Sequence, residues 1–220
     1  MILAIDTSGE IASVALTASD GAPIAEITFP AKGGLETRLV PAIDAVLAMA
    51  GVSRDAITAL AAGLGPGSFT GLRVGLVLLK AIASARALPL LGVPSLAALA
   101  LNAAGHDRVL ALGPARVGHL FVARYDARNI PPIEIQAPRS CALDTFALEA
   151  PHVVVGPPAG VASMARILGD RAIRVPGMQG WPRACAIALL AAPGFAAGQA
   201  SDPAALEPIY LTGPDVLYGR

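Results

Sequence analysis

Charge is what this chain has least of. Only 15% of its 220 residues are Asp, Glu, Lys or Arg, against about a quarter in ordinary soluble domains. The two signs cancel, 16 against 16. No global basic field therefore draws in nucleic acid, and any RNA contact would rest mostly on a partner's cations. Cysteine is almost absent. Cys141 and Cys185 stand far apart, outside any CxxC pattern, and nothing in their spacing suggests a disulfide. Long apolar runs are missing as well: the longest mid-chain stretch, Val74 to Ala85, is broken by Lys80 and is too short to span a bilayer. The opening Met1-Ile2-Leu3-Ala4-Ile5-Asp6 has no basic segment and runs at once into a charge. It reads as a strand, not a signal peptide. No membrane association is expected, and the expected location is the cytoplasm.

What is abundant is apolar. Hydrophobic residues make up 55% of the chain, mostly alanine, leucine and valine. The length permits one large domain or two small ones, each with a real core. The composition fits an alanine-rich, GC-biased genome, and it also fits a surface patch that a partner covers; a mixture of the two is favoured.

Three short apolar segments, 1–8, 11–18 and 23–29, read as consecutive strands, with Asp20-Gly21 as a hairpin turn. Then the period changes. Leu39, Ile43, Val46, Leu47 and Ala50 recur at helical spacing, and Gly51 stands where a helix would stop. Pro41 either opens this helix or kinks an earlier turn of it. A strand at 58–64, a helix at about 70–87, a strand at 88–93 and a third helix ending near Gly105 follow. The order is that of one ribonuclease-H-like unit, a mixed sheet with helices packed on it. Strands at 108–113, 117–125, 132–137 and 152–155, and helices at 159–168 and 182–192, suggest a shortened repeat. The fold class expected is therefore α/β with two related mixed-sheet units, 1–105 and 106–220, as in actin-like ATPases.

Gly65-Pro66-Gly67-Ser68-Phe69-Thr70-Gly71-Leu72-Arg73-Val74-Gly75 is the most specific segment. Its glycines allow close backbone approach. Ser68 or Thr70 can cap the helix that follows, whose free N–H groups could hold an anion. The alternative is a tight strand-to-helix turn with ordinary capping. That reading is favoured on the glycines alone, since no Gly-Lys-Ser/Thr of a P-loop follows. The helix behind it carries Leu72, Val74, Leu76, Val77, Leu78, Leu79 and Ile82 around its whole circumference. Such a helix is covered on all sides. One side can face the sheet; the other is covered either by a protein partner, the favoured reading, or by the 39–50 helix and the second half of the chain. Gly71 and Gly75, one turn apart, would let another backbone come close. Which of Val77 and Leu79 faces the sheet is left open by the pattern.

Ala4-Ile5-Asp6-Thr7-Ser8, Arg38-Leu39-Val40-Pro41-Ala42-Ile43-Asp44 and the glycine segment together resemble the motifs of the TsaB (YeaZ) family. The resemblance is strong over roughly the first hundred residues. It continues weakly through Ala115-Arg116 and Pro208-Ile209-Tyr210-Leu211. It implies the actin-like fold and a non-catalytic scaffold subunit of the machinery that makes threonylcarbamoyladenosine in tRNA. It implies a TsaD-like catalytic subunit as heterodimer partner, a TsaE-like ATPase in the full complex, and tRNA only through that complex. Pairing through the first two helices makes Leu39, Ile43, Leu47, Gly71, Leu72, Gly75 and Leu79 the candidate interface. Asp6, Thr7, Ser8, Gly67 and Ser68 are weaker candidates for a nucleotide or anion, Asp6 being read first as a turn residue.

The catalytic relatives carry two metal-binding histidines in Val-Asn-His-Leu-Glu-Ala-His. The matching run here is Val93-Pro94-Ser95-Leu96-Ala97-Ala98-Leu99, with Ser95 and Leu99 at the ligand positions. Leucine cannot coordinate, and lone serine is a poor ligand. No cofactor or metal is expected, nor a protease, since no nucleophile–histidine pair is placed. Departures from the family are Gly113-Pro114-Ala115-Arg116 without its aspartate, Thr212 in place of an arginine, and Leu35 in place of a histidine. Two other readings compete with the scaffold. One is a small-molecule kinase or ATPase of the same fold, with Gly156-Pro157-Pro158-Ala159-Gly160 as its only late glycine motif. The other is a homodimer built on the same helices.

Overall fold

The structure is a computed structural model, and it describes residues 1–175 and 180–211. The chain forms two compact units. The first is Met1–Ser95 together with Pro182–Pro208, and the second is Leu96–Trp181 together with the segment from Ile209. The expected single boundary near residue 105 is thus replaced by a double crossing. The chain leaves the first unit ten residues earlier and returns to it at Pro182.

In the first unit, β1 (Ile2–Asp6), β2 (Ile11–Thr17) and β3 (Pro23–Pro30) form the antiparallel meander, and β4 (Ala59–Gly63) and β5 (Leu90–Val93) add parallel to β1. The spatial order is β3-β2-β1-β4-β5, with Ile5 beside Val14 on one side and Ala62 on the other. The two helices α1 (Leu35–Ala50) and α2 (Phe69–Arg86) cover one sheet face. There Leu3, Ile5, Val14, Leu16, Leu60 and Leu90 meet Leu39, Ile43, Val46, Leu76 and Leu79. Pro41 lies inside α1, not at its start, because the turn that begins at the buried Leu35 is already helical. Gly51, in the left-handed region at φ 66°, ends α1 by donating back to Ala48 and Leu47, a geometry that favours glycine.

The other sheet face is built of smaller side chains. It receives α5 (Ala184–Ala196), whose Ala184, Ile187, Ala188 and Ala191 are buried and which packs on β1, β2, β4 and β5. The first turn of α5 is capped by distant residues. Ala184 N donates to Ser13 Oγ and Cys185 N to Glu26 Oε1, each at 3.0 Å. Arg183 clamps Glu26 Oε2 through Nε at 2.8 Å and Nη2 at 2.6 Å. Sequence-distant groups therefore satisfy the orphan N–H groups of a helix that has no side-chain cap of its own.

The second unit repeats the plan. Strands β6 (Val109–Pro114), β7 (His119–Asp126), β8 (Ile133–Ala142), β9 (His152–Val155) and β10 (Ala172–Ile173) lie in the order β10-β9-β6-β7-β8. Antiparallel and parallel pairings fall at the same places as in the first unit. Its sheet is complete; the shortening falls on the helices. A 3-10 turn at Leu143–Thr145 stands where α1 stands in the first unit, and α4 (Pro158–Leu168) matches α2. The third helix expected to reach Gly105 is α3 (Ser95–Ala100) followed by a 3-10 turn at Leu101–Ala103. Leu96, Leu99 and Ala100 of α3 join Val109, Phe121, Tyr125 and Val153 in the second unit's core. Two mixed five-stranded sheets of this order make the actin-like, ribonuclease-H-like fold.

Candidate functional site: the glycine turn and the α1–α2 face

The turn after β1 and the turn after β4 are locked together. Asp6 is fully buried. Its Oδ1 accepts from Ser8 N at 2.9 Å and Ser8 Oγ at 2.7 Å, and its Oδ2 accepts from Ser95 Oγ at 2.5 Å. Ser95 Oγ in turn accepts from Gly65 N at 2.9 Å, and Ser95 N donates to Gly65 O at 2.8 Å. Thr7 Oγ1 donates to Gly71 O at 2.7 Å, and Ser68 N donates to Ser8 O at 2.8 Å. Burial pushes the Asp6 carboxyl above its ordinary range, and the hydrogen bonds from Ser95 and Ser8 oppose that shift.

The glycines are required by this closeness. A Cβ on Gly63 would strike the Asp6 carboxylate, one on Gly67 the Ser8 carbonyl, and one on Gly71 the Thr7 carbonyl, all closer than 3.0 Å. On Gly75 it would meet the Thr7 side chain, with Cγ2 at 3.1 Å. The space a phosphate cradle would keep open is filled by the neighbouring backbone. Ser68 caps α2, accepting from Gly71 N at 3.2 Å, which is the ordinary capping role. So Asp6, Thr7, Ser8, Gly67 and Ser68 are indeed brought together, but as a mutual brace. Of the two positions matched in sequence to histidines, Ser95 is the Asp6 donor, and Leu99 is buried in the second unit's core.

None of the seven candidate interface residues is exposed. Leu39, Ile43, Leu47, Leu72 and Leu79 are buried at 6% exposure or less, and Gly71 and Gly75 are buried against Thr7. All seven face inward because the sheet claims the i, i+4 stripe they lie on. The same helices turn other apolar residues to solvent. Val77 is 63% exposed, Val40 45% and Met49 66%, while Val74, Leu78 and Ile82 are half-buried. The Val77/Leu79 question is thereby decided: Leu79 faces the sheet and Val77 faces out. Between the helices runs a groove of about 530 Å³, floored by Leu3, Ile43, Leu78 and Ile82 and rimmed by Val40, Ala81 and Ala85. The ion pair Arg54–Asp44, at 2.6 Å, stands at its edge. Beside the glycine turn, Arg73 lies 3.8 Å over the Phe69 ring.

Among the described residues, no three His, Cys, Asp or Glu side chains come together as a metal site. His119 meets Arg116 at 2.9 Å, and His152 Nδ1 donates to Ala150 O at 2.8 Å. The late glycine motif opens α4, where a Cβ on Gly156 would strike Leu112. No described helix is long and apolar enough to cross a membrane. Thr212, the departure expected near the chain's end, lies outside the described residues.

The family model "TsaD: tRNA N6-adenosine threonylcarbamoyltransferase" matches residues 31–130. The chain is 40% identical over 127 residues to the Escherichia coli tRNA threonylcarbamoyladenosine biosynthesis protein TsaB, covering 56% of this chain and 54% of that protein. The Bacillus subtilis protein of the same name is 33% identical over 129 residues, covering 58% and 56%. The chain thus spans about half the length of the curated relatives it matches. The crystal structure of YeaZ from Pseudomonas aeruginosa superposes with a TM-score of 0.82 at 27% identity, covering 96% of this chain and 99% of that one. Sequence likeness over a little more than half the chain and structural likeness over nearly all of it agree in making the chain similar to the TsaB (YeaZ) proteins.

Proposed function

We propose that this chain is a non-catalytic subunit in the formation of threonylcarbamoyladenosine in tRNA, and that it binds and supports a TsaD-like catalytic subunit. The observation that carries the reading is the outward apolar stripe of α2, Val74, Val77, Leu78, Ala81 and Ile82, beside Val40 of α1. Arg73 and Lys80 flank it and the Arg54–Asp44 pair stands at its edge, so the patch has an apolar centre and a charged rim, the anatomy of a protein contact. The names of the relatives place them in the same tRNA modification, which supports the choice of partner. The sealed Asp6 turn, and Ser95 and Leu99 at the ligand positions, support a subunit that does no chemistry itself. A TsaE-like ATPase completes the assembly, tRNA is met through the complex in the cytoplasm, and the free subunit can pair with a second copy through the same face.

The test is co-purification with the TsaD-like protein of the same organism, read by size and mass in solution. A stable heterodimer is expected. The isolated chain is expected neither to hydrolyse ATP nor to modify tRNA, and turnover by the pure protein would overturn the non-catalytic assignment.

A further inference from the structure

The second unit carries a group of cations that the subunit reading does not use. Arg108 precedes β6, Arg124 lies on β7 and His152 opens β9. The register sets Leu110 beside Arg124 and Val109 beside Val153, and Val153 N donates to Arg108 O at 2.8 Å. Arg108, Leu110 and Val154 alternate onto the sheet face of Leu120, Val122 and Met164, and Arg124 and His152 share that face. Three neighbouring strands thus bring two guanidinium groups and an imidazole to one end of one sheet face.

Their partners are accounted for in an uneven way. The Asp126 carboxylate lies nearby, but Arg128 occupies both of its oxygens, with Nη2 to Oδ2 at 2.5 Å and Nε to Oδ1 at 3.0 Å. Arg171 is taken up by Leu148 O at 2.6 Å. Neither Arg108 nor Arg124 makes an ion pair among the described residues, and Arg124 Nε is buried with no acceptor. A buried donor without an acceptor is unfavourable and calls for one. His152 is 7% exposed. Its Nδ1 is committed to Ala150 O, which leaves Nε2 as the ring's remaining polar atom. Burial, together with the positive charges of Arg124 and Arg108, holds the imidazole below its ordinary pKa, and Asp107 pulls the other way. The field around the ring is therefore net positive.

We propose that Arg108, Arg124 and His152 form an anion site of the phosphate class on the second unit. A phosphate oxygen matches the Nε–Nη edge of a guanidinium, and a second arginine with an adjacent imidazole suits a tetrahedral anion. The phosphate can come from a nucleic-acid backbone or from a free phosphate. The assignment goes beyond the subunit reading and stands on different residues.

The experiment uses the full chain. The His152 ring resonance is followed by NMR while inorganic phosphate is added, and again while an RNA hairpin is added in fixed phosphate. Saturable phosphate binding is expected, with the His152 pKa rising on binding and affinity increasing as pH falls through that pKa. Arg108→Gln, at an exposed position, should weaken binding about tenfold or more, the worth of a charge-assisted hydrogen bond. Arg124→Met, which keeps the buried stem, should do the same. Competition by the hairpin assigns the site to a nucleic-acid backbone; saturation by phosphate without such competition assigns it to a free phosphate. No saturable shift with either probe, or binding unchanged in Arg108→Gln, overturns the proposal. Co-purification with the TsaD-like partner is read in parallel and should be unaffected by Arg108→Gln. Loss of one property with the other intact therefore tells the two proposals apart.

Discussion

Replacing Gly75 by alanine should change sign with the residue at position 7. Alanine is better than glycine inside a helix by about 1 kcal/mol, so on propensity alone the variant would be stabilised. The structure reverses this. The new methyl would press on Thr7, 3.1 Å from its Cγ2 and closer still to its Oγ1. Thr7 can yield only by leaving the rotamer that donates to Gly71 O at 2.7 Å. Overpacking costs about 1–3 kcal/mol, and loss of the hydrogen bond about 1 kcal/mol more. Gly75→Ala should therefore destabilise by about 1–3 kcal/mol once the propensity gain is subtracted. Thr7→Ala removes the obstructing atoms. In that background the same Gly75→Ala change should stabilise by about 1 kcal/mol. Urea unfolding of the four proteins, analysed by linear extrapolation, gives the cycle. Equal effects of Gly75→Ala in both backgrounds would refute the view that these glycines exist for close packing of α2 on the β1 turn.

Three other outcomes follow from the same contacts. Leu79→Ala should cost about 2–5 kcal/mol, while Val77→Ala should change stability by less than about 0.5 kcal/mol; thermal or urea unfolding compares them, and equal losses would place α2 the other way round. Glu26→Gln should weaken the distant cap on α5 by about 1–3 kcal/mol and raise amide exchange in residues 184–188 before the rest of the first unit; uniform exchange would contradict the capping role. Asp6 has its folded pKa raised by burial, so its ionisation opposes folding. Stability from this group is fullest in acid, below the ordinary carboxylate range, and is lost as pH rises through the folded pKa. Asp6→Asn should flatten that dependence, whereas Asp6→Ala should cost about 1–3 kcal/mol for each hydroxyl left unpaired.

Much of the fold was legible because it obeys simple periods. The alternation of residues 1–30 and the helical spacing of 39–50 are local signals, and they match β1 to β3 and α1. Strand β10 has only two residues, too few for any period to appear. The return of α5 to the first unit was hidden for another reason. Its cap comes from Ser13 and Glu26, and contacts so distant in sequence leave no local mark. The candidate interface was legible as a helix but not as a set of side chains. Helix α2 is apolar around its whole circumference, so composition named the element but not its outward face. Leu72 and Leu79 are buried, and Val74, Val77 and Leu78 are the apolar residues of this helix that reach solvent. The glycine turn was read first as a tight strand-to-helix turn, and its close contact with the Asp6–Ser8 turn is one that no local pattern reveals.

The most direct test of the subunit assignment is a binding measurement with the TsaD-like protein of the same organism and two charge substitutions at exposed valines. Val77→Asp lies on the outward stripe of α2. Val117→Asp, in the second unit, is fully exposed in the turn between β6 and β7. Both should fold. The account predicts that the wild-type chain and Val117→Asp form a stable heterodimer and that Val77→Asp does not, since a charge desolvated without a partner in an apolar contact costs several kcal/mol, on the order of 3–5. Full binding by Val77→Asp, or no complex with the wild-type chain under any nucleotide condition, would contradict it.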